Sequence, residues 1–142
     1  MSKSVRTARV RWIKGLQFEG KSGSGHGVVL DTSKQNGGFD QGASPMELVL
    51  IALAGCTAMD VADILRKKRQ ALEALEIKVE ATRAEEHPRV YTHIEMVYRL
   101  RGKALNPQAV ARAIELSETK YCSVGAMLGK TAHIKTRFEI AK

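Results

Sequence analysis

A chain of 142 residues is long enough to bury one hydrophobic core, and 44% hydrophobic with 27% charged residues are the proportions of a globular protein. A net charge of +8 raises nucleic acid as a partner, but the basic residues are scattered, and the three Phe, three Tyr and single Trp do not interleave with them. The longest apolar run, Leu48 to Cys56, is half the roughly 18 residues of a membrane span, and MSKSVRTARVRW carries no apolar signal core, so a single cytoplasmic domain over residues 1–142, with neither membrane nor nucleic acid as partner, is expected.

Residues 5–13 (VRTARVRWI) predict a first strand, with Ala8, Val10 and Trp12 on one side and Arg9 and Arg11 on the other. Gly15 marks a turn into a second short strand, LQFEG, and the Gly-rich KSGSG leads to a third, HGVVLD. Thr32 to Ala43 is polar and Gly-containing, a loop where a mobile lid or an inter-subunit crossover would sit. Its glycines match no phosphate-binding pattern. Ser44 to Gln70 then predicts one long helix around which the rest of the chain is arranged. Ser44 suits the N-cap, Pro45 the first helical position, and Glu47 completes a capping box. From Leu48 to Ala54 every residue is apolar, which predicts burial on all sides. Arg66 to Arg69 suit the negative end of the helix dipole, a better account of RKKR than a nucleic-acid patch. A helix of this length, about 40 Å at about 1.5 Å per residue, exceeds what a compact domain needs and hints at a second subunit.

Residues 75–83 and 90–100 alternate apolar with polar and predict a hairpin of half-buried strands. Asn106 and Pro107 cap a second helix to about Thr119, burying Val110, Ala113, Ile114 and Ser117. Cys122 follows at a helix break, Ser123 to Gly129 is a short helical turn, and residues 131–140 make a last strand. Helices separated from hairpin-built strands predict an α+β fold with a mainly antiparallel sheet.

The chemistry centres on the two cysteines. Cys56, midway along the apolar helix, reads equally as a small buried hydrophobe or as a thiol of function. Cys122 sits in a polar break beside Lys120 and before a helix start, a setting in which cations and amide dipoles lower a thiol pKa. Nothing in their spacing demands that they meet. Asp60, four residues after Cys56 on the same helix face, would oppose thiolate formation, and Asp63 is placed to pair with Lys67. The four histidines show no metal-ligand spacing with one another or with the cysteines, so neither a metal nor a cofactor is expected.

The run SPMELVLIALAGCTAMDV, with LSETKYCSV after the second helix, resembles the OsmC/Ohr family of bacterial thiol peroxidases, in its YhfA-like branch. The similarity extends to ARVRWIKGLQFEGKSGSGHG, EEHPRVYTHIEM and ARAIELS, nearly the whole chain, with both cysteines in register. It implies an intertwined α+β homodimer with long central helices and active sites at the subunit interface. It further implies that Cys56 attacks an organic hydroperoxide and becomes a sulfenic acid, that Cys122 resolves it as a disulfide, and that an external dithiol restores the pair. Members of the Ohr branch supply an Arg from a GGR-like segment and a Glu directly after the helix Pro; here Gly15, Leu16 and Gln17 stand at the first place and Met46 at the second. Glu47 lies nine residues before Cys56, on the opposite side of a straight helix and roughly 13 Å along it. Glu47, Arg9 and Arg11 are the candidate activating residues that remain. An apolar pocket around Cys56, lined by Leu53, Met59 and Met127, suits either a hydroperoxide with an organic tail or, without turnover, an acyl or aromatic ligand. A thiol redox sensor is a third reading.

Overall fold

The computed structural model describes residues 4–141. The first three residues of the stretch read for targeting lie outside it. The chain divides into two compact units, residues 1–49 and 50–142.

In the first unit, β1 (Ala8–Lys14), β2 (Gln17–Ser22) and β3 (Gly27–Leu30) form an antiparallel meander. Gly15 makes the β1–β2 turn with a φ of 52°, and a Cβ there would stand 2.9 Å from the Phe39 ring. The segment after β3, expected as a loop where a mobile lid or an inter-subunit crossover would sit, is stitched to one carboxylate. Asp31, 2% exposed, accepts the backbone N–H groups of Thr32, Phe39 and Gln41 and the Gln17 side-chain amide. A carboxylate holding four donors at once fixes a loop far better than loop composition suggests.

The helix α1 (Pro45–Lys67) starts as the sequence predicts. The Glu47 carboxylate accepts the Ser44 N–H at 2.9 Å, and the Ser44 hydroxyl accepts the Glu47 N–H at 3.3 Å, the two bonds of a capping box. Those bonds hold the Glu47 carboxyl below the usual carboxylate range, the Ser44 backbone N–H contributing most. Glu47→Gln keeps both bonds available, so it should cost less than about 1 kcal/mol in thermal or denaturant unfolding and leave thiol reactivity unchanged. A large loss of thiol oxidation with intact stability would show that the charge of Glu47 matters to the chemistry.

The end of α1 differs from expectation. It stops at Lys67, Arg69 turns left-handed with a φ of 57°, and the four residues from Ala71, good helix formers, open strand β4 (Ala71–Arg83). Pairing with β5 (Tyr91–Lys103) extends to Ala71 opposite Lys103, and this tertiary pairing outweighs local propensity. Asp63 near the helix end pairs with both Arg66 and Lys67, as its spacing suggests.

After β5 come α2 (Pro107–Leu116), a single wide π turn (Ser117–Tyr121), and α3 (Ser123–Leu128). Strand β6 (His133–Ala141) then lies parallel to β5, so the second sheet, β4–β5–β6, is antiparallel on one side only. The fold is α+β with two mostly antiparallel sheets. Its core comes from β5 (Ile94, Met96, Tyr98, Leu100), α2 (Val110, Ala113) and one stripe of α1 (Leu53, Thr57, Val61, Leu65).

Within one chain, that stripe leaves the all-round burial expected for Leu48–Ala54 incomplete. A spacing of four covers one helix face only, and Ile51 and Met59 remain 60% and 76% exposed. As a whole, α1 is long and apolar enough to cross a membrane by length and composition, although no uninterrupted apolar run within it is.

Candidate functional site

The π turn is the local feature that builds the site. One extra residue per turn lets the Cys122 N–H reach back to the Ser117 carbonyl at 2.7 Å, while Ser117 itself faces the core at 0% exposed. The helix then restarts with Cys122 as N-cap, its sulfur accepting the Gly125 N–H at 3.2 Å. Gly125 also leaves room for that sulfur, since a Cβ there would sit 3.2 Å from it.

This arrangement brings the two cysteines together. Both are free, Cys56 half-buried and Cys122 buried, and the two sulfurs and an Asp60 carboxylate oxygen lie within 4.8 Å of one another. Sequence spacing alone gave no reason for the pair to meet. The three are potential metal ligands with no histidine among them, and they are equally a thiol pair with a carboxylate beside it.

The electrostatics reverse the local expectation for Cys122. Burial above all, with the neighbouring Cys56 and Asp60, pushes its thiol up to about 11 against the pull of the Gly125 N–H. The Lys120 ammonium lies over the Tyr121 ring, 5.2 Å from the centroid. A helix start does lie at Cys122, but one weak amide bond to sulfur does not outweigh desolvation.

Beneath the sulfurs runs a line of buried hydroxyls that the sequence reading did not single out. The Ser117 hydroxyl donates to Asp60 at 2.9 Å, Thr57 lies 2.8 Å from both Ser117 and the Tyr98 hydroxyl, and Tyr98 donates to Glu118 at 3.2 Å. Thr57, Ser117 and Tyr98 are each 1% exposed or less. Burial holds the Tyr98 phenol far above its usual range, so it stays protonated. The signal was available: hydroxyls on otherwise apolar faces must find partners when buried, and these three sit on such faces.

A cavity of about 320 Å³ opens beside this line. Leu53, Met96 and Ile134 give it an apolar wall, and Thr57, Cys122, Glu118 and His133 its polar groups. Among the pocket residues expected from sequence, Leu53 lines it; Met59 and Met127, 76% and 65% exposed, do not. Cys122 rather than Cys56 faces this space. Of the candidate activating residues, Glu47 is engaged in its cap, and Arg9 and Arg11 are exposed on β1.

The sequence pattern of OsmC-like proteins matches residues 38–137. Protein YhfA of Escherichia coli K12 is 47% identical over 133 residues, covering 94% of this chain and 96% of that protein. The crystal structure of a hypothetical protein from Aquifex aeolicus VF5 superposes with a TM-score of 0.86 at 32% identity, covering 98% of both chains. The organic hydroperoxide resistance protein OhrB of Bacillus subtilis has a TM-score of 0.63 at 12% identity over 96% of this chain and 98% of its own, a likeness of fold alone. With a family pattern across most of its length and a relative nearly half identical, this chain belongs to the OsmC-like family.

Proposed function

We propose that this protein is a cytoplasmic, homodimeric thiol peroxidase that reduces organic hydroperoxides through Cys56 and Cys122 and takes part in the response to oxidative stress. The observation that carries the reading is the approach of two free sulfurs to within 4.8 Å, close enough for a disulfide to form with small local movement. In the first step the Cys56 thiolate attacks a peroxide oxygen; the S–O bond forms, the O–O bond breaks, and an alcohol leaves. In the second, Cys122 attacks the sulfenic sulfur, the disulfide forms, and water leaves. An external dithiol then returns both sulfurs to thiols by exchange.

The order of events agrees with the electrostatics of Cys122. Its thiol is pushed up in part by Cys56, as hydrogen-bond partner and as charge. Oxidation of Cys56 to a neutral sulfenic acid removes that charge, so Cys122 becomes easier to deprotonate once its turn to attack arrives. The apolar wall of Leu53, Met96 and Ile134 suits an organic tail.

Homodimer formation is supported by the uncovered face of α1. A second copy would bury Ile51 and Met59 and close the surroundings of Cys56, with Arg9 and Arg11 among the cations available to activate it.

The test is one equivalent of an organic hydroperoxide added to the reduced protein. Intact mass should fall by two hydrogens, with peptide mapping placing a Cys56–Cys122 disulfide. Thiols that react no faster than free cysteine would reject the peroxidase. The binding-module reading, a small acyl or aromatic ligand held without turnover, rests on the same cavity, which is within the size of small-ligand pockets.

A further inference from the structure

Three metal-binding side chains meet at one place in the second unit. Cys56, Asp60 and Cys122 each offer one ligand atom, and these atoms lie within 4.8 Å of one another. The histidines, whose spacing set metals aside in the sequence, take no part. Cys56 and Asp60 stand four residues apart on one face of α1, where two side chains can hold the same ion. Cys122 arrives from the break between the π turn and α3.

The ligand atoms are held from behind. The Ser117 hydroxyl donates to one Asp60 oxygen at 2.9 Å, with Thr57 2.8 Å behind Ser117, which orients the carboxylate and leaves its other oxygen for a ligand bond. The Gly125 N–H fixes the Cys122 sulfur at 3.2 Å. Charge is not balanced to match. A carboxylate stands beside two groups that turn anionic as thiolates, and among the described residues no cation forms an ion pair with any of the three. Lys67 and Lys68 share a groove with Asp60, yet neither pairs with it, and Lys67 is taken by Asp63.

We propose that Cys56, Asp60 and Cys122 form a zinc-binding site, one ion per chain, with water in the fourth position. Zinc takes thiolate and carboxylate together in a tetrahedron, which sets the ligand atoms about 3.5–3.8 Å apart. From 4.8 Å or less, each side chain needs to move by under about 1 Å. Two thiolates disfavour calcium and magnesium, which take oxygen, and the carboxylate disfavours Cu(I), which takes soft sulfur. Cys122 also lines the cavity, which has room for the water. On binding, two S–H bonds break, two S–Zn bonds form, and both protons leave to solvent, with nothing oxidised or reduced. The site needs the thiols reduced and does not rest on their reacting with peroxide.

The test is zinc uptake by the reduced, metal-free protein against a chromophoric chelator of known affinity. One ion per chain is expected, with a Kd of roughly 1 μM or tighter. Cadmium in its place should give the ultraviolet band of sulfur-to-metal charge transfer. Cys56→Ser and Cys122→Ser should each cut that band and weaken zinc by about a hundredfold. Asp60→Asn keeps the side-chain shape and the acceptor for Ser117, so it should leave the band and weaken zinc by about tenfold or more. Asp60 is half-buried, and its variant keeps the test readable if a serine variant fails to fold. Zinc held as tightly by Asp60→Asn as by wild type would reduce the site to a bare dithiol and overturn it. So would no uptake by wild type, or uptake that survives both serine variants. Slow thiols with zinc uptake would reject the peroxidase and keep the site, and rapid thiols without uptake would do the reverse.

Discussion

Cys56→Ser is expected to abolish the first oxidation, and Cys122→Ser to leave it intact while trapping Cys56 as a sulfenic acid prone to overoxidation. The readout is intact mass after one equivalent of an organic hydroperoxide. The expectation rests on magnitude. With its thiol pushed up to about 11, Cys122 is a thiolate in roughly one molecule in ten thousand at pH 7, too few for a rapid first attack. The cavity argues in the other direction, because Cys122 lines it and Cys56 does not. If Cys56→Ser still consumes peroxide stoichiometrically at Cys122, the cavity is the substrate site and the roles are inverted. If both variants fail alike, the sulfurs act only as a pair.

Ile51→Glu is expected to convert the proposed dimer into monomer or to unfold it. Ile51 is 60% exposed on a helix whose other face is already buried in the core, so only a second surface can cover it. Burying such a side chain stabilises by about 2 kcal/mol, and in a two-fold dimer each substitution counts twice. Roughly 4 kcal/mol, before the cost of burying carboxylates, is on the order of a thousandfold in dissociation constant. Sedimentation at micromolar concentration checks it. A wild-type chain that sediments as a folded monomer would sink the dimer, and partition of that monomer into lipid vesicles would assign the apolar face of α1 to a membrane.

Much of the fold was legible because its signals were local. Ser44, Pro45 and Glu47 announced the start of α1 three ways, and the alternation through 75–83 and 90–100 announced a hairpin. What was not legible depended on distant partners. Ala71 to Ala74 prefer a helix but meet β5 instead. The all-apolar Leu48–Ala54 segment predicted burial, yet a single chain covers only Leu53 fully, because periodicity tells which face is apolar and not how many chains share it. Asp31 gave no hint that it would gather a loop around itself. At the site, the cysteines were visible as residues, while Ser117 passed as a core position and Thr57 and Tyr98 drew no notice. Their hydroxyls only acquire meaning when α1, β5 and the π turn come together.

The parallel placement of β6 beside β5 has one more consequence. Two parallel neighbours need a long return path where a hairpin would need two residues, and here that path carries Ser117, Glu118, Cys122 and Gly125. The strands at either end are fixed in register from His93 opposite His133 to Arg101 opposite Ala141. The return path is thus held at both ends by a fixed register, and the residues of the site ride on its middle, between a helix packed into the core and the start of β6.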